Sequence, residues 1–372
     1  MKKICHVTSA HPPEDGRIFR RACISSSKAG YDTFLVERGK TYDKEGVHII
    51  GIGEPKRPGR IFRMICFANN AYQMALTIDA DLYHLHDPEL LPYALKLKKK
   101  GKIVIFDSHE NYVEQIKNKP YLPKILAKYL AKAFDCYSKK VFSKIDGLIY
   151  PGTGEKATYF DKLCNRVVPI DNLPWLSELY DKYDEKMEKE ENTACYIGGI
   201  EEPRGITQII KAAKIADCKL YLAGPVSEDY KNTLEQMEAY SCVKYLGVLN
   251  RDGIVKLIKK VEVGLCMLLD VGQYYKMQNL PTKVYEYMSV GLPTVINDSP
   301  YNVGFLERCK IGLAVNSNNE HEIAKAIRTL LDNPELRKKC GNNGRQAIVS
   351  RFCWDKEQSK LLHLYEELLT NV

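Results

Sequence analysis

The sequence predicts an α/β protein built as two successive, doubly wound, mostly parallel sheets. Three observations predict it. Short apolar runs alternate with helical patterns from the N-terminus onward. A hydrophilic run at 181–191 (DKYDEKMEKEE) then interrupts the alternation, and the same alternation restarts near residue 195. A chain of 372 residues is long enough for two domains with a core each.

In the first half the expected strands are 4–7, 33–36, 47–50, 82–85, 103–106, 148–150 and 167–170. Helical stretches are expected near 16–28, 60–77, 88–99 and 122–144. In the second half the strands are 195–197, 220–222, 243–246, 263–268, 294–296 and 312–315. A last helix, at about 355–370, follows Trp354 and is expected to pack back on the first domain. The expected domains are therefore 1–180 and 181–354, facing across a cleft. In open sheets of this kind ligands sit beyond the carboxyl ends of the strands.

Composition narrows the class. No run of 18 apolar residues is present and the first residues carry no signal-peptide core, so a cytoplasmic protein without a membrane span is expected. Twelve cysteines occur without a CxxC pair or a zinc-type histidine partner, and read as reduced thiols. Residues 1–180 hold 29 Lys and Arg against 20 Asp and Glu, net +9; the remainder holds 26 against 27, net −1. The basic excess belongs to the first half and implies an anionic partner there.

The most informative stretch is 278–296, QNLPTKVYEYMSVGLPTVI. Pro281 and Thr282 open a helix, with the Thr282 hydroxyl placed as a cap. Val284, Tyr285 and Met288 recur at helical spacing, Gly291 ends the helix, and an apolar strand follows. The N–H groups and positive dipole end of such a helix suit a phosphate, and Lys283 adds a full charge. Glu286, one turn further in, suits ribose hydroxyls as a hydrogen-bond acceptor. A nucleotide diphosphate fits these groups better than a bare anion.

The second half opens with YIGGIEEPRGITQIIKAAK. A strand ending at Gly198 and Gly199, then Arg204-Gly205 leading into a helix, lets backbone approach a phosphate beside a guanidinium. A plain strand–helix turn with a surface arginine is the alternative. Gly224, after the next strand, is a weaker signal of the same kind.

Taken in order, strand-GG-x(4)-RG-helix, LAGP, YLG and LPTKVYEYMSVGLPTVI resemble the donor lobe of family 4 retaining glycosyltransferases of the GT-B fold. In the first half HVTSAHPPEDGRIFRRA, DLYHLHDPELLPYALKLKKKGKIVIFDSHENY and DNLP are similar to members that build bacterial surface polysaccharides. The resemblance spans the whole chain. It implies a nucleotide-sugar donor, UDP favoured over GDP, and a glycan or polyprenyl-linked glycan acceptor. It implies donor contacts from Gly198, Gly199, Arg204, Gly224, Gln278, Leu280, Pro281, Thr282, Lys283 and Glu286. Arg204 and Lys283 would hold the diphosphate and Glu286 the ribose.

His86 falls where the resemblance places a catalytic histidine against the transferred sugar. LYHLHDPE puts it just beyond a strand and ahead of a helix, with Asp87 expected to orient it and Glu89 to cap that helix. The alternative is that His84 and His86 share a strand face and one is satisfied in the core. His109 and Glu110, after the next strand, and His11, Gly16 and Arg17, after the first, are the expected acceptor contacts. Asp15 acting only as a helix cap is the alternative for the last group. A Ser108-His109 pair without GxSxG carries no hydrolase reading.

Two departures from the family pattern stand out. Gln278 replaces the earlier glutamate of Glu-x7-Glu, and Gly199 replaces an arginine, so phosphate binding leans on Arg204 and Lys283. The resemblance implies no cofactor and no metal. Asp79-Ala80-Asp81 is a DxD, but it precedes the strand that His86 follows and reads as a solvated turn. The Gly152–Lys156 loop lacks the GxxxxGK[ST] pattern.

At 122–145, Lys124, Lys128, Lys132 and Lys139 lie within about a quarter turn of each other, with Leu126, Leu130, Phe134, Tyr137 and Val141 on the opposite, core-facing side. Lys56, Arg57, Arg60 and Arg63 form a second basic cluster interleaved with Ile61, Phe62 and Met64. With the +9 half, these point to peripheral docking on an anionic membrane, and no motif points to nucleic acid. A sugar-nucleotide epimerase and a non-catalytic nucleotide-binding subunit are the competing functions.

Overall fold

A computed structural model describes residues 1–54, 63–119, 122–152, 158–183, 188–271, 274 and 277–370. The chain divides into two compact units, one of Met1–Asn172 with Glu357–Val372, the other Leu173–Lys356. The sequence-based boundary at 180/181 falls later than this division. The reason is local: Leu173 and Leu179 are buried in the second unit's core, with Leu176 and Tyr180 packed against it.

In the first unit the strands are β1 (Lys3–Val7), β2 (Asp32–Glu37), β3 (Tyr42–Lys44), β4 (Val47–Gly51), β5 (Leu82–Leu85), β6 (Ile103–Asp107), β7 (Gly147–Tyr150) and β8 (Val167–Pro169). Its helices are α1 (Ile24–Lys28), which continues a wider turn at Ile18–Cys23, then α2 (Ala68–Ile78), α3 (Leu91–Lys99), α4 (Tyr112–Lys117) and α5 (Lys124–Phe142). The sheet order is β3-β4-β2-β1-β5-β6-β7-β8, parallel apart from β3. The pattern reading missed β3, whose three residues are too few to show an alternation.

The second unit holds β9 (Thr193–Ile197), β10 (Lys219–Ala223), β11 (Val243–Tyr245), β12 (Val263–Cys266), β13 (Thr294–Asn297) and β14 (Gly312–Val315). Between and after them lie α6 (Ile206–Ile215), α7 (Glu228–Glu235), α8 (Arg251–Lys260), α9 (Thr282–Ser289), α10 (Pro300–Cys309), α11 (Glu320–Leu331) and α12 (Pro334–Ser350). The last helix is α13 (Trp354–Thr370). The sheet order is β11-β10-β9-β12-β13-β14, parallel throughout. In each sheet the first strand is central, and the order reverses beside it, between β1 and β5 and between β9 and β12. Such a switch point opens a crevice at the carboxyl ends of the strands. The loops carrying His86 and the Gly198-Gly199 pair leave the sheets at those ends.

Two local expectations need correction, and a third agrees. On α5 the core side is Ala127, Ala131, Ser138, Val141 and Phe142, whereas Leu126, Leu130 and Tyr137 are exposed. Small residues let the helix lie close to its neighbours, and that rotates the expected apolar face outward. On α9 Pro281 occupies the cap position and no side chain caps the helix, so Thr282 does not play that part. Asp79 and Asp81 sit at the amino end of β5, bound to Lys102 and to Lys3 and Lys2 respectively, in the turn the spacing predicted. The basic cluster at 56–64 and the loop at 153–156 fall outside the described residues or side chains, as does 184–187 of the hydrophilic run.

Candidate functional site

In the second unit the candidate site assembles where β9, β10 and α9 meet. Lys283 lies in the first turn of α9, a helix buried on every side, and is itself only 7 % exposed. Its ammonium sits 3.5 Å above the Tyr196 ring, and its Nζ has no hydrogen-bond partner among the described residues. Burial, reinforced by the nearby Arg204 guanidinium, pushes the amine down from 10.5 to about 8. A buried, unpaired cation is costly unless something anionic meets it.

The chain approaches that cation through glycine. Gly198 has φ +115°, and a Cβ there would lie 3.0 Å from the Lys283 Nζ. Gly224 at φ +149° is closer still, since its Cβ would overlap the Gly198 carbonyl. Only backbone without side chains can stack so tightly beside an ammonium. Tyr196 holds the loop by donating its hydroxyl to the Gly199 carbonyl at 2.8 Å. Arg204 follows a short turn at Glu202–Arg204, with Nε 3.6 Å from where a Gly199 Cβ would stand. It is half-buried, bonded to Glu201 at 3.3 Å, with its guanidinium 5.6 Å from the Tyr274 ring. The guanidinium thus stands beside the position where the family pattern has its missing arginine.

Leu280 is buried in the core behind this loop, and Pro281 and Thr282 are half-buried at the start of α9. Gln278 is exposed. Glu286 is engaged by Arg251, which also reaches Glu178 at 3.3 Å. The sequence reading stopped at YLG and missed Arg251, although Asn250 capping α8 marks the position. Tyr196 was missed as well, because a strand tyrosine carries no motif.

In the first unit His86 lies at the end of β5 but is fully buried. Its Nε2 is 3.1 Å from His6 Nδ1 and its Nδ1 is 3.3 Å from His109 Nε2. Burial pushes it down to about 3, against the raising effect of Asp107, so it is a neutral imidazole. His84 is buried too, and takes Tyr365 at 2.7 Å. Both histidines of LYHLHDPE are therefore core residues, and the imidazoles that reach the surface are His109 and His11.

Asp87 does not orient His86. It accepts from Thr8, from the Ser9 and Ala10 amides and from His11, and so ties the loop after β1 to the loop after β5. Glu89 accepts from Ser9 rather than capping a helix. Arg17 is 7 % exposed and committed internally: Nε and Nη2 grip Asp107 at 2.8 and 2.7 Å, and Nη1 reaches the Ile170 carbonyl at 3.0 Å. Three of its five N–H donors are used inside the unit and the side chain is buried, so the structure makes it a partner of Asp107 rather than the acceptor contact that was expected. Asp15 is the cap the alternative named, accepting from the Arg17 and Ile18 amides. The Gly16 carbonyl accepts from Arg21, and the Glu110 carboxylate accepts from Gln115 at 2.6 Å.

Two parallel α/β units of this topology define the GT-B architecture. Solved structures superpose on the chain over its full length: sucrose-phosphate synthase of Thermosynechococcus elongatus at a TM-score of 0.80 with 13 % identity, each chain covered fully. The Anabaena protein HepE, crystallised with UDP and glucose, gives a TM-score of 0.69 with 13 % identity, over 99 % of this chain and 100 % of that one.

Residues 181–347, which lie within the second unit, match the family described as Glycosyl transferases group 1. An uncharacterized glycosyltransferase of Methanocaldococcus jannaschii is 25 % identical over 323 residues, 82 % of each chain. The alpha-D-kanosaminyltransferase of Streptomyces kanamyceticus is 23 % identical over 180 residues, 46 % of this chain and 45 % of that protein.

Proposed function

We propose that this protein is a retaining glycosyltransferase that moves a sugar from a UDP-sugar to a glycan or lipid-linked glycan during surface polysaccharide synthesis. The observation that carries the reading is the unpaired, buried Lys283 ammonium beside the Gly198 backbone, with Arg204 on the same loop. A diphosphate supplies the anion this arrangement lacks. The uncapped first turn of α9 adds N–H donors. UDP is favoured because a neighbour of the same fold was crystallised with it.

In this reaction an acceptor hydroxyl attacks the anomeric carbon on the face the diphosphate leaves. The departing phosphate oxygen takes the hydroxyl proton. Lys283, Arg204 and the α9 N-terminus stabilise charge developing on that oxygen, so the phosphates need no divalent cation. Arg251 must share or release Glu286 for that carboxylate to accept ribose hydroxyls. His86, being buried, acts by holding His109 rather than by touching the sugar.

A thermal-shift panel of UDP, GDP and their sugars tests the reading, since a ligand that binds only the folded state raises Tm. Stabilisation by UDP and turnover on a glycan acceptor are expected; an unmoved Tm across the panel would remove the proposal. Donor incubated without acceptor should hydrolyse slowly, where an epimerase would return a new sugar nucleotide.

The Lys283 amine sets a pH dependence. Bound diphosphate favours the ammonium, so its pKa in the complex lies above the about 8 of the free protein. UDP affinity should therefore weaken as pH rises through about 8, with proton uptake on binding above that point. The nucleotide's own last phosphate ionisation, about 6, lies below this window. Calorimetry from pH 7 to 9.5 checks it, and a Lys283→Met variant should lose the slope; a slope retained in that variant would assign it elsewhere.

We also propose peripheral attachment to an anionic membrane through α5. Ile125 is 75 % and Tyr129 69 % exposed, with Leu126 and Leu130 beside them and exposed Lys124, Lys128 and Lys132 on the same helix. Apolar side chains fringed by ammonium groups suit an anionic lipid surface. Co-sedimentation with anionic vesicles should weaken with salt and fall several-fold in an Ile125→Asp/Tyr129→Asp variant. Lack of binding at low salt would end the idea.

A further inference from the structure

Three charged side chains of the second unit meet, each from a different element. Arg251 opens α8, Glu286 lies in α9 one turn beyond Lys283, and Glu178 lies in the turn at Leu176–Tyr180. Val255, Leu257 and Ile258 of α8, Tyr287 of α9 and Leu179 belong to one apolar cluster. The packing beneath the three charges therefore fixes their spacing.

The helix itself gains nothing from a cation at Arg251. The positive end of the dipole disfavours a guanidinium in the first turn, and Asn250 already caps α8 by accepting from the Gly253 amide at 2.9 Å. The two carboxylates supply the reason for it. Nη1 donates to Glu286 Oε1 and Nη2 to Glu178 Oε2 at 3.3 Å, so one planar group spans both acids. A lysine ammonium lacks that fork. The Glu286 side chain is 11 % exposed, which shields the pair from the salt screening that weakens surface bridges.

Held in this way, Glu286 remains usable. A carboxylate offers about four lone-pair sites, and Arg251 takes one of them, on Oε1. No hydrogen bond to Oε2 forms among the described residues. A glutamate free to rotate would lose rotamer freedom when a ligand arrives, whereas one already held by a guanidinium does not. Positions 283 and 286 are surface neighbours on α9, so a diphosphate on Lys283 brings its attached ribose toward the free oxygen.

We infer that Arg251 is the positioning residue that makes this site select a ribonucleoside diphosphate over its deoxyribose counterpart. It acts through Glu286, whose Oε2 it keeps available to the vicinal ribose hydroxyls, and it stays paired when the nucleotide binds. The inference rests on the reading of this unit as a nucleoside diphosphate site and adds the source of its sugar discrimination.

Calorimetry with UDP and with its dideoxy analogue, which lacks both ribose hydroxyls, gives the ratio of the two affinities. A ratio cancels any uniform change in the charge of the site. Wild type should favour UDP by roughly 10–100-fold, the range for hydrogen bonds to a charged group. Arg251→Met should lower that preference several-fold. Arg251→Lys, which keeps the charge but cannot span both acids, should fall between the two, and it carries the test if the methionine variant does not fold. An Arg251→Met/Glu286→Gln double variant should discriminate no worse than Glu286→Gln alone, because residues that act through one another are not additive. A wild-type ratio in the Arg251 variants, with UDP still bound, would overturn the inference and leave the donor reading intact. A further fall in the double variant would put Arg251 on the nucleotide itself, and tighter UDP binding in Arg251→Met would make the pair a latch; either result has the same consequence. Wild type that binds neither nucleotide would remove the donor reading, and this inference with it.

Discussion

Replacing Lys283 by methionine or alanine is expected to lower the rate of sugar transfer by roughly 10²–10³-fold while leaving the protein as stable as before, or more so. The two halves of this expectation come from one fact. In the ligand-free protein the ammonium is buried and unpaired, and its descent from 10.5 to about 8 measures what the fold gives up to keep it charged. That amounts to on the order of 3 kcal/mol below pH 8. Methionine fills a similar volume without that cost. In the proposed reaction the same ammonium meets charge developing on the leaving phosphate, where a fixed cation in a dry site contributes most. Arg204→Ala should give a comparable loss of rate. Rates measured with saturating donor, beside thermal unfolding of the same samples, decide the matter. Near-normal turnover in both variants would discard the mechanism.

Arg17→Ala should be the most destabilising single change in the first unit, by about 3–5 kcal/mol. The guanidinium is the only cation bonded to Asp107 among the described residues, and it also satisfies the Ile170 carbonyl. Truncating it leaves a carboxylate, 3 % exposed, with no counter-charge. Arg17→Lys should recover only part of the loss, since an ammonium cannot reproduce the two parallel bonds at 2.8 and 2.7 Å. Urea unfolding monitored at first-unit positions reads the difference. A loss below about 1 kcal/mol would mean the pair behaves like an exposed surface bridge.

The residues proposed to hold the donor were legible as a group because a strand–loop–helix unit is local. Gly198, Gly199 and Arg204 lie within one loop, and Lys283 and Glu286 within one helix, so the chemistry can be read from spacing alone. The first unit was legible only in part. HPPEDGR, HLHDPE and DSHE each announce polar groups at strand ends, but the sequence does not say which of these groups meet. Arg17 therefore read as a ligand contact when its partner is Asp107, ninety positions on. For the same reason Asp87 read as the partner of His86, although it turns to His11.

The sequence by itself determined the alternation of strands and helices, the two-unit α/β class and the glycine loop after β9, because periodicity and turn chemistry act over a few residues. Only the tertiary structure decided the neighbours. Parallel pairing sets β1 beside β5 in a register that places His6 opposite His84, and β6 brings Asp107 alongside. It also decided which side of α5 is buried, where Ala127 and Ala131 permit a close approach that larger side chains would prevent. A period of two tells which face a side chain takes. Which strand lies next to it is settled by packing between segments that the chain itself keeps far apart.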